Sequence, residues 1–456
     1  MPQSIMPVPA RRRKNSWPDL SPSQLMVLSF LALIGLGTLL LSLPVCHASN
    51  KVGWLEALFT STSAVCVTGL AVVDTATDYS LAGQAVILLL FQLGGLGIML
   101  WSSALLTLLG GRLGLRERVA LQQFMPGLSL SGAAQLTQRV MVFTLGCELV
   151  GAILLFALWS QRLPAGEALW AAVFHSVSAF CNAGFSIWSD SLSADVANVP
   201  VNLVVMALIV VGSLGYLVCA DVFQYGRGRK VRLSLHAYLV LWVSAGLIVT
   251  GALGFYCFEY DNAATLAELT PATRITASFF QSVTTRTAGF NTLDLSAVRS
   301  ETLEWMVFLM FVGGSPGSTA GGIKTTTLAI LLLAALAQTR GRDQVEAHGR
   351  SIPTPRILQS VALVVVAAAS VWLLSVVLNY LEPHDFDRVL FEATSALATV
   401  GLSTGITATL GTPSRLLICL AMLAGRVGPL TLAISLLHQE AQKQAIKYPP
   451  EDVAIG

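Results

Sequence analysis

Residues 59–70 read FTSTSAVCVTGL, and a string of the same pattern returns three times: FHSVSAFCNAGF at 174–185, FFQSVTTRTAGF at 279–290 and FEATSALATVGL at 391–402. Aligned without gaps, each opens on Phe and carries Gly ten residues later, at Gly69, Gly184, Gly289 and Gly401. The glycines are separated by 115, 105 and 112 residues. Small residues that let helices pack closely in a membrane would account for one such string. Four in the same phase call for a repeated unit.

Each string is flanked by apolar runs. Eight runs are long enough to cross a bilayer, which takes about 20 mostly apolar residues. They lie near 22–44, 83–109, 138–159, 200–223, 235–258, 303–335, 357–381 and 414–437. The strings sit in semi-apolar stretches near 54–68, 167–182, 273–288 and 385–400, too short to cross alone. The expected unit is helix, re-entrant pore segment, helix. The expected fold is an all-α membrane protein of four such pseudo-symmetric repeats around a central pore, with eight spanning helices. The repeats fall at 21–112, 133–226, 233–340 and 355–438, between tails at 1–20 and 439–456.

Composition agrees. Of 456 residues, 54% are hydrophobic and 11% charged, against roughly 25% charged in soluble proteins. Mean hydropathy is +0.70. A soluble surface cannot be built from so few charges, and disorder, collagen and a coiled coil are excluded by the same figures. The seven cysteines form no CxxC pair and read as small buried hydrophobes.

Lysine and arginine set the orientation. One set of loops carries 18 of the 27 basic residues, among them Arg11–Lys14, Arg112, Arg116, Arg118, Arg227, Arg229, Lys230, Arg232, Arg340, Arg342, Arg350 and Arg356. That face is assigned to the cytoplasm, with both termini, and the four strings then enter from outside. Arg286, Lys324 and Arg426 fall at membrane depth, where a charge is expensive and marks function or a buried pair. Arg286 is expected to point away from the ion path, toward a carboxylate such as Glu392. Lys324 either serves function or snorkels to the interface. Arg426 either faces the pore as a fixed positive barrier or pairs with a carboxylate such as Glu148.

The chemistry of the strings is specific. Irregular backbone at membrane depth is tolerated only where it is buried in protein or lines a water-filled cavity. Rings of backbone carbonyls can replace the hydration shell of a monovalent cation. Helices entering from outside aim their partly negative C-termini inward, which favours a cation. Glycine permits the backbone angles that turn carbonyls to an axis. The candidate filter is therefore Cys66, Val67, Thr68 and Gly69; Cys181, Asn182, Ala183 and Gly184; Arg286, Thr287, Ala288 and Gly289; Ala398, Thr399, Val400 and Gly401. Acidic residues follow three of the strings, Asp74, Asp78, Asp190, Asp195, Asp294, Glu301 and Glu304 among them. They read either as cation attractors at the mouth or as ordinary loop charge.

The sixth run is broken by Gly313-Gly314-Ser315-Pro316-Gly317-Ser318-Thr319-Ala320-Gly321-Gly322. Gly costs about 1 kcal/mol and Pro about 3 kcal/mol in a helix interior, so a straight helix is not expected there. The alternatives are a kink and a mobile loop across the pore. No catalytic dyad, nucleotide-binding lysine motif or Cys/His metal cluster is present. No enzyme activity is expected, and a solute carrier would need asymmetric, charged substrate contacts at the midplane.

The four strings, the 313–327 segment GGSPGSTAGGIKTTT and Gly425-Arg426-Val427-Gly428-Pro429 resemble the superfamily of potassium transporters that includes KtrB, TrkH and the plant HKT proteins. The resemblance covers residues 20–456, and within the superfamily the eight runs and the tail IKYPPEDVAIG are most similar to KtrB. It implies a K+ uptake subunit in a bacterial inner membrane, with 313–322 as an intramembrane gate, Lys324 beside it and Arg426 as a barrier below the filter. It implies K+ held by filter carbonyls, a homodimer, and a cytosolic nucleotide-binding ring of the KtrA type. No nucleotide is bound by this chain itself and no nucleic acid is involved. Sodium-selective HKT proteins carry Ser at the first filter position, so Gly69 favours potassium; a sodium-conducting protein of the same fold is the alternative, and sodium dependence of uptake stays open.

Overall fold

The computed structural model describes residues 22–48, 52–108, 133–228 and 231–428. Arg11–Lys14, Lys51, Arg112–Arg118, Arg229, Lys230 and the expected tails at 1–20 and 439–456 lie outside these residues. So does the last apolar run beyond 428.

The helices follow in the order long, short, long. The first group is α1 (Pro22–Leu41), α2 (Trp54–Val65) and α3 (Leu81–Leu108). The second is α4 (Ala133–Trp159), α5 (Ala165–Cys181), α6 (Val199–Leu214) and α7 (Tyr216–Gly226). The third is α8 (Leu235–Glu259), α9 (Pro271–Thr284), α10 (Ser300–Phe311) and α11 (Thr325–Thr339). The fourth is α12 (Thr354–Leu381), α13 (Phe386–Leu397) and α14 (Thr412–Val427). The short helices start on polar or acidic signals. Thr270 caps α9 by accepting from Thr273 N–H, with Pro271 in the first turn, and Glu56, Glu167 and Asp387 lie in the first turns of α2, α5 and α13, where the helix dipole favours them.

Burial is the inverse of a soluble protein. The short helices α2, α5, α9 and α13 are the best buried, and much of their buried surface is polar: Ser61, Ser63, Ser176, Ser178, Ser282, Thr394 and Ser395 are at most 2% exposed. The long helices carry the exposed apolar side chains, including Leu39, Val142, Leu149, Trp242, Leu373 and Trp372, each above 60%. Exposed apolar surface on this scale requires an apolar environment. Three helical segments, Gln138–Trp159, Leu235–Glu259 and Thr354–Leu381, are long and apolar enough to cross a membrane unbroken among the described residues. The chain is a helical membrane protein.

Two apolar runs are not continuous. The expected break in 303–335 separates α10 from α11. The run at 200–223, expected as one helix, is bent by 101° between α6 and α7, at Gly215 with φ +79°. Its hydropathy shows no interruption, because the residues around Gly215 are themselves apolar. A small hairpin also lies outside the all-α expectation: Glu346–Ala347 pairs antiparallel with Arg350–Ser351, around His348 and Gly349, both at positive φ, as a two-residue hairpin turn demands. The cysteines carry no disulfide; Cys46, Cys66, Cys181 and Cys419 are buried as expected, but Cys257 is exposed.

The gapless alignment of the third string is also corrected. Phe59, Phe174 and Phe391 are fully buried, and their counterpart is Phe280, fully buried, while Phe279 is 38% exposed. Three packing triads show the same shift. A Cβ on Gly37 would meet Ser61 and Leu90, one on Gly151 would meet Ser176 and Leu208, and one on Gly251 would meet Ser282 and Leu309. Ser61 and Ser176 are third in their strings, and Ser282 is fourth. The turn after the helix is one residue shorter: Thr68, Ala183 and Val400 donate five residues back, to Ser63, Ser178 and Ser395, whereas Ala288 donates four back, to Thr284. Accordingly, Phe280→Ala is expected to cost about 3–5 kcal/mol, as a large buried aromatic does. Phe279→Ala should change stability by less than about 0.5 kcal/mol. Thermal denaturation in detergent compares the two, and equal losses would contradict this register.

Candidate functional site

Beyond each short helix the chain leaves the helical path in the same way. Val67, Asn182, Thr287 and Thr399 have φ of 56°, 58°, 71° and 51°, and the glycine two residues on is positive as well, at 99°, 70°, 78° and 93°. Left-handed backbone costs a non-glycine residue about 1–2 kcal/mol, so four strained residues at one position mark a shared constraint. Hydroxyls of the last helical turn hold this shape. Ser63 Oγ and Ser395 Oγ accept from Gly69 and Gly401 N–H at 3.0 and 3.1 Å. Ser178 Oγ and Thr284 Oγ1 donate to Phe185 and Phe290 carbonyls at 2.8 and 2.6 Å.

The four glycines close a ring. A Cβ on Gly69 would lie 2.6 Å from the Ala183 carbonyl oxygen, one on Gly184 3.0 Å from that of Ala288, and one on Gly289 2.7 Å from that of Val400. One on Gly401 would strike the Thr68 carbonyl. Each glycine thus packs on the carbonyl that precedes the next glycine, around to the first. Glycines from the following long helices seat the short helices against the ring: Gly94 lies on the Val65 carbonyl, Gly212 on that of Phe180 and Gly425 on that of Leu397.

A cavity of about 340 Å³ opens onto all four ring glycines. Its remaining walls are residues that follow them, including Asp74, Ser186, Asn291 and Ser403. Among the acids of the sequence reading, Asp74 lines this cavity. Asp195 does not: it is buried, accepting from Trp159 Nε1 at 3.0 Å and Arg162 at 2.5 Å. Asp294 accepts from Ser296 N–H in its own loop.

The 312–324 loop lies at the opposite end of the ring, against residues that precede the glycines. Thr319 Oγ1 donates to the Phe180 carbonyl at 3.2 Å, and a Cβ on Gly321 would fall 2.6 Å from that of Ala398. Ser315 and Thr319 N–H donate to Ser213 and Gly212 carbonyls. The loop's base is closed by Thr325 N–H to Gly314 O at 3.0 Å and Ile323 N–H to Phe311 O at 3.1 Å. Gly215, absent from the sequence reading, belongs here: a Cβ on it would sit 2.6 Å from the Gly317 carbonyl. The α6–α7 bend makes room for the loop. The only sequence signal was a glycine in an apolar run.

The lone charges resolve differently. Arg426 Nη1 donates to the Thr319 carbonyl at 2.5 Å and Nη2 to that of Gly94 at 2.8 Å, so it straps the loop to α3. It makes no ion pair with Glu148, which instead binds Gln92 at 3.1 Å and lies 3.8 Å from Cys181 Sγ. Lys324 does not reach toward an interface; Nζ turns back onto the loop carbonyls of Ala320 and Gly321, at 2.7 and 3.4 Å. Arg286 points away from the ring, as expected, but not to Glu392. It donates to Ser244 Oγ on α8 at 3.0 Å, and its Nε and Nη1 find no partner. Glu392 is satisfied by Ser403, Thr404 and Thr407, which leaves it no geometry for the arginine. Among the described residues no cluster of three His, Cys, Asp or Glu side chains could hold a metal ion.

Residues 9–446 match the TrkH family of cation transport proteins. The chain belongs to that family. Ktr system potassium uptake protein B of Bacillus subtilis is 37% identical over 440 residues, covering 96% of this chain and 98% of that protein. Potassium/sodium uptake protein NtpJ of Enterococcus hirae is 37% identical over 443 residues, with 96% and 98% covered. The crystal structure of the potassium transporter TrkH from Vibrio parahaemolyticus superposes with a TM-score of 0.72 at 19% identity, covering 93% of this chain and 86% of that one.

The ring makes a sharp stability prediction. Gly401→Ala adds a Cβ at φ +93° against the Thr68 carbonyl, and overpacking of this kind costs about 1–3 kcal/mol beyond the backbone strain. Gly35→Ala meets nothing within 4 Å at an ordinary φ and should leave the melting temperature unchanged or raise it slightly. A Gly401→Ala protein as stable as wild type would contradict the ring packing.

Proposed function

We propose that this chain is the potassium-translocating membrane subunit of a K+ uptake system. The observation that carries the reading is the closed ring of Gly69, Gly184, Gly289 and Gly401 on successive carbonyls. In this reading the fold is four helix–pore-segment–helix repeats with eight spans around one ion path, bounded at 21–112, 133–226, 233–340 and 355–438. Ions enter the 340 Å³ cavity, lose water to carbonyls of residues 66–69, 181–184, 286–289 and 398–401, and meet the 313–322 loop as a gate. Carbonyl rings are the established solution for a dehydrated monovalent cation. The names of two relatives, a potassium uptake protein and a potassium/sodium uptake protein, support K+ as cargo and keep Na+ as the competing or coupled ion.

The chain's residues supply the rest. The C-termini of α2, α5, α9 and α13 place partial negative charge at the inner end of the ring. Arg426 contributes the opposing field and, through Thr319 and Gly94, holds the loop across the path. Lys324 ties the loop to itself. The bias of basic loops puts both termini in the cytoplasm of a bacterial inner membrane. The Ktr system name of one relative supports assembly with further subunits, here a homodimer on a cytosolic nucleotide-binding ring.

Rubidium uptake into liposomes containing the purified protein tests this. Uptake should be suppressed by K+ at concentrations where Na+ is without effect. Gly401→Ser should remove most of that preference, and deletion of 314–321 should raise flux several-fold by removing the loop. Equal suppression by both ions in the wild type would defeat potassium selectivity, and silence even in the deletion variant would defeat the pore.

A further inference from the structure

The residue after the buried phenylalanine of each short helix is Thr60, His175, Gln281 or Glu392. Two of these reach past the ring to the residue two beyond the glycine. His175 Nε2 lies 3.0 Å from Ser186 Oγ, and Ser186 follows Gly184 by two. Glu392 Oε1 accepts from Ser403 Oγ and from Thr404 N–H at 3.0 Å, and its Oε2 accepts from Thr407 Oγ1 at 2.7 Å; Ser403 follows Gly401 by two. Ser186, Ser403 and Thr407 all line the cavity. Both inner partners are sealed, His175 fully and Glu392 to 1% exposure. His175 is held on its other side by the Ala171 carbonyl at 2.8 Å and a stacked Trp188 ring at 4.3 Å. In α9 the corresponding Gln281 is equally buried, yet neither of its amide atoms has a partner.

We infer that Glu392 and His175 are positioning residues that fix the cavity-side rim of the ring in the second and fourth repeats, and that this rim sets the preference for K+ over Na+. The inference rests on the filter reading proposed above. A carboxylate satisfied by three donors and shut away from water has one stable orientation, because leaving any of those groups unpaired in the interior is costly. The rim residues that Glu392 and His175 hold are two peptide units from the ring glycine, so their slack is transmitted to the carbonyls. A ring free to contract accommodates the smaller ion. Glu392 does the larger share, with three bonds against one. It does not touch the ion.

The test is the ratio of Na+ to K+ concentrations that half-suppress rubidium uptake, measured in liposomes for full-length variants. Glu392→Gln keeps an oxygen for Ser403 and Thr404 and should stay within about threefold of wild type. Glu392→Ala should lower the ratio roughly tenfold, the effect of losing about one buried hydrogen bond. Ser403→Ala combined with Thr407→Val removes two of the donors from the cavity side, leaves the helix core intact, and should fall as far; it carries the test if Glu392→Ala does not fold. An unchanged ratio in the Ser403→Ala/Thr407→Val protein overturns the inference. So does a Glu392→Gln protein that falls as far as Glu392→Ala, which would assign the effect to charge. A wild-type protein that shows no preference at all defeats the filter reading itself, whereas a selective wild type with unmoved variants defeats only the positioning role.

Discussion

Everything in this molecule is arranged around backbone polar groups that cannot be left bare at membrane depth. In an apolar interior an unpaired carbonyl or N–H costs several kcal/mol, and the four short helices end buried within the protein. Three devices meet the demand. Hydroxyls of Ser63, Ser178, Thr284 and Ser395 satisfy the turn beyond each helix. Glycines of the neighbouring long helices let backbone approach backbone without a side chain between. At the ring itself each glycine packs on the carbonyl that precedes the next glycine.

That constraint also explains the unequal treatment of the four repeats. The second and fourth rims are tied down by His175 and Glu392, while the third is one residue short and carries a buried guanidinium with two unpartnered nitrogens. The third repeat also interrupts its second long helix to form the loop. That loop rests on the second repeat through Gly212, Ser213 and Gly215, on the fourth through Ala398, and on Arg426. Four similar strings thus carry one asymmetric loop.

The sequence by itself determined the class of the molecule, the positions of the four short helices and the four glycines. Hydropathy and a roughly 110-residue period can be read along the chain, and glycine is the default residue where the backbone takes positive φ. It also located the loop, because six residues of Gly and Pro within ten cost more than a continuous helix can carry. Tertiary structure alone decided the rest. A one-residue deletion in the third string is invisible to an alignment that has Phe279 and Phe280 side by side; burial chose between them. The bend at Gly215 depends on the Gly317 carbonyl lying opposite, more than 100 residues away in the chain. The partners of Arg286, Arg426 and Glu392 turned on distance in space. Charge complementarity suggested a carboxylate for Arg286 and offered one as the alternative to a pore-facing position for Arg426. The fold supplied a hydroxyl to one and backbone carbonyls to the other, and among the described residues neither forms an ion pair.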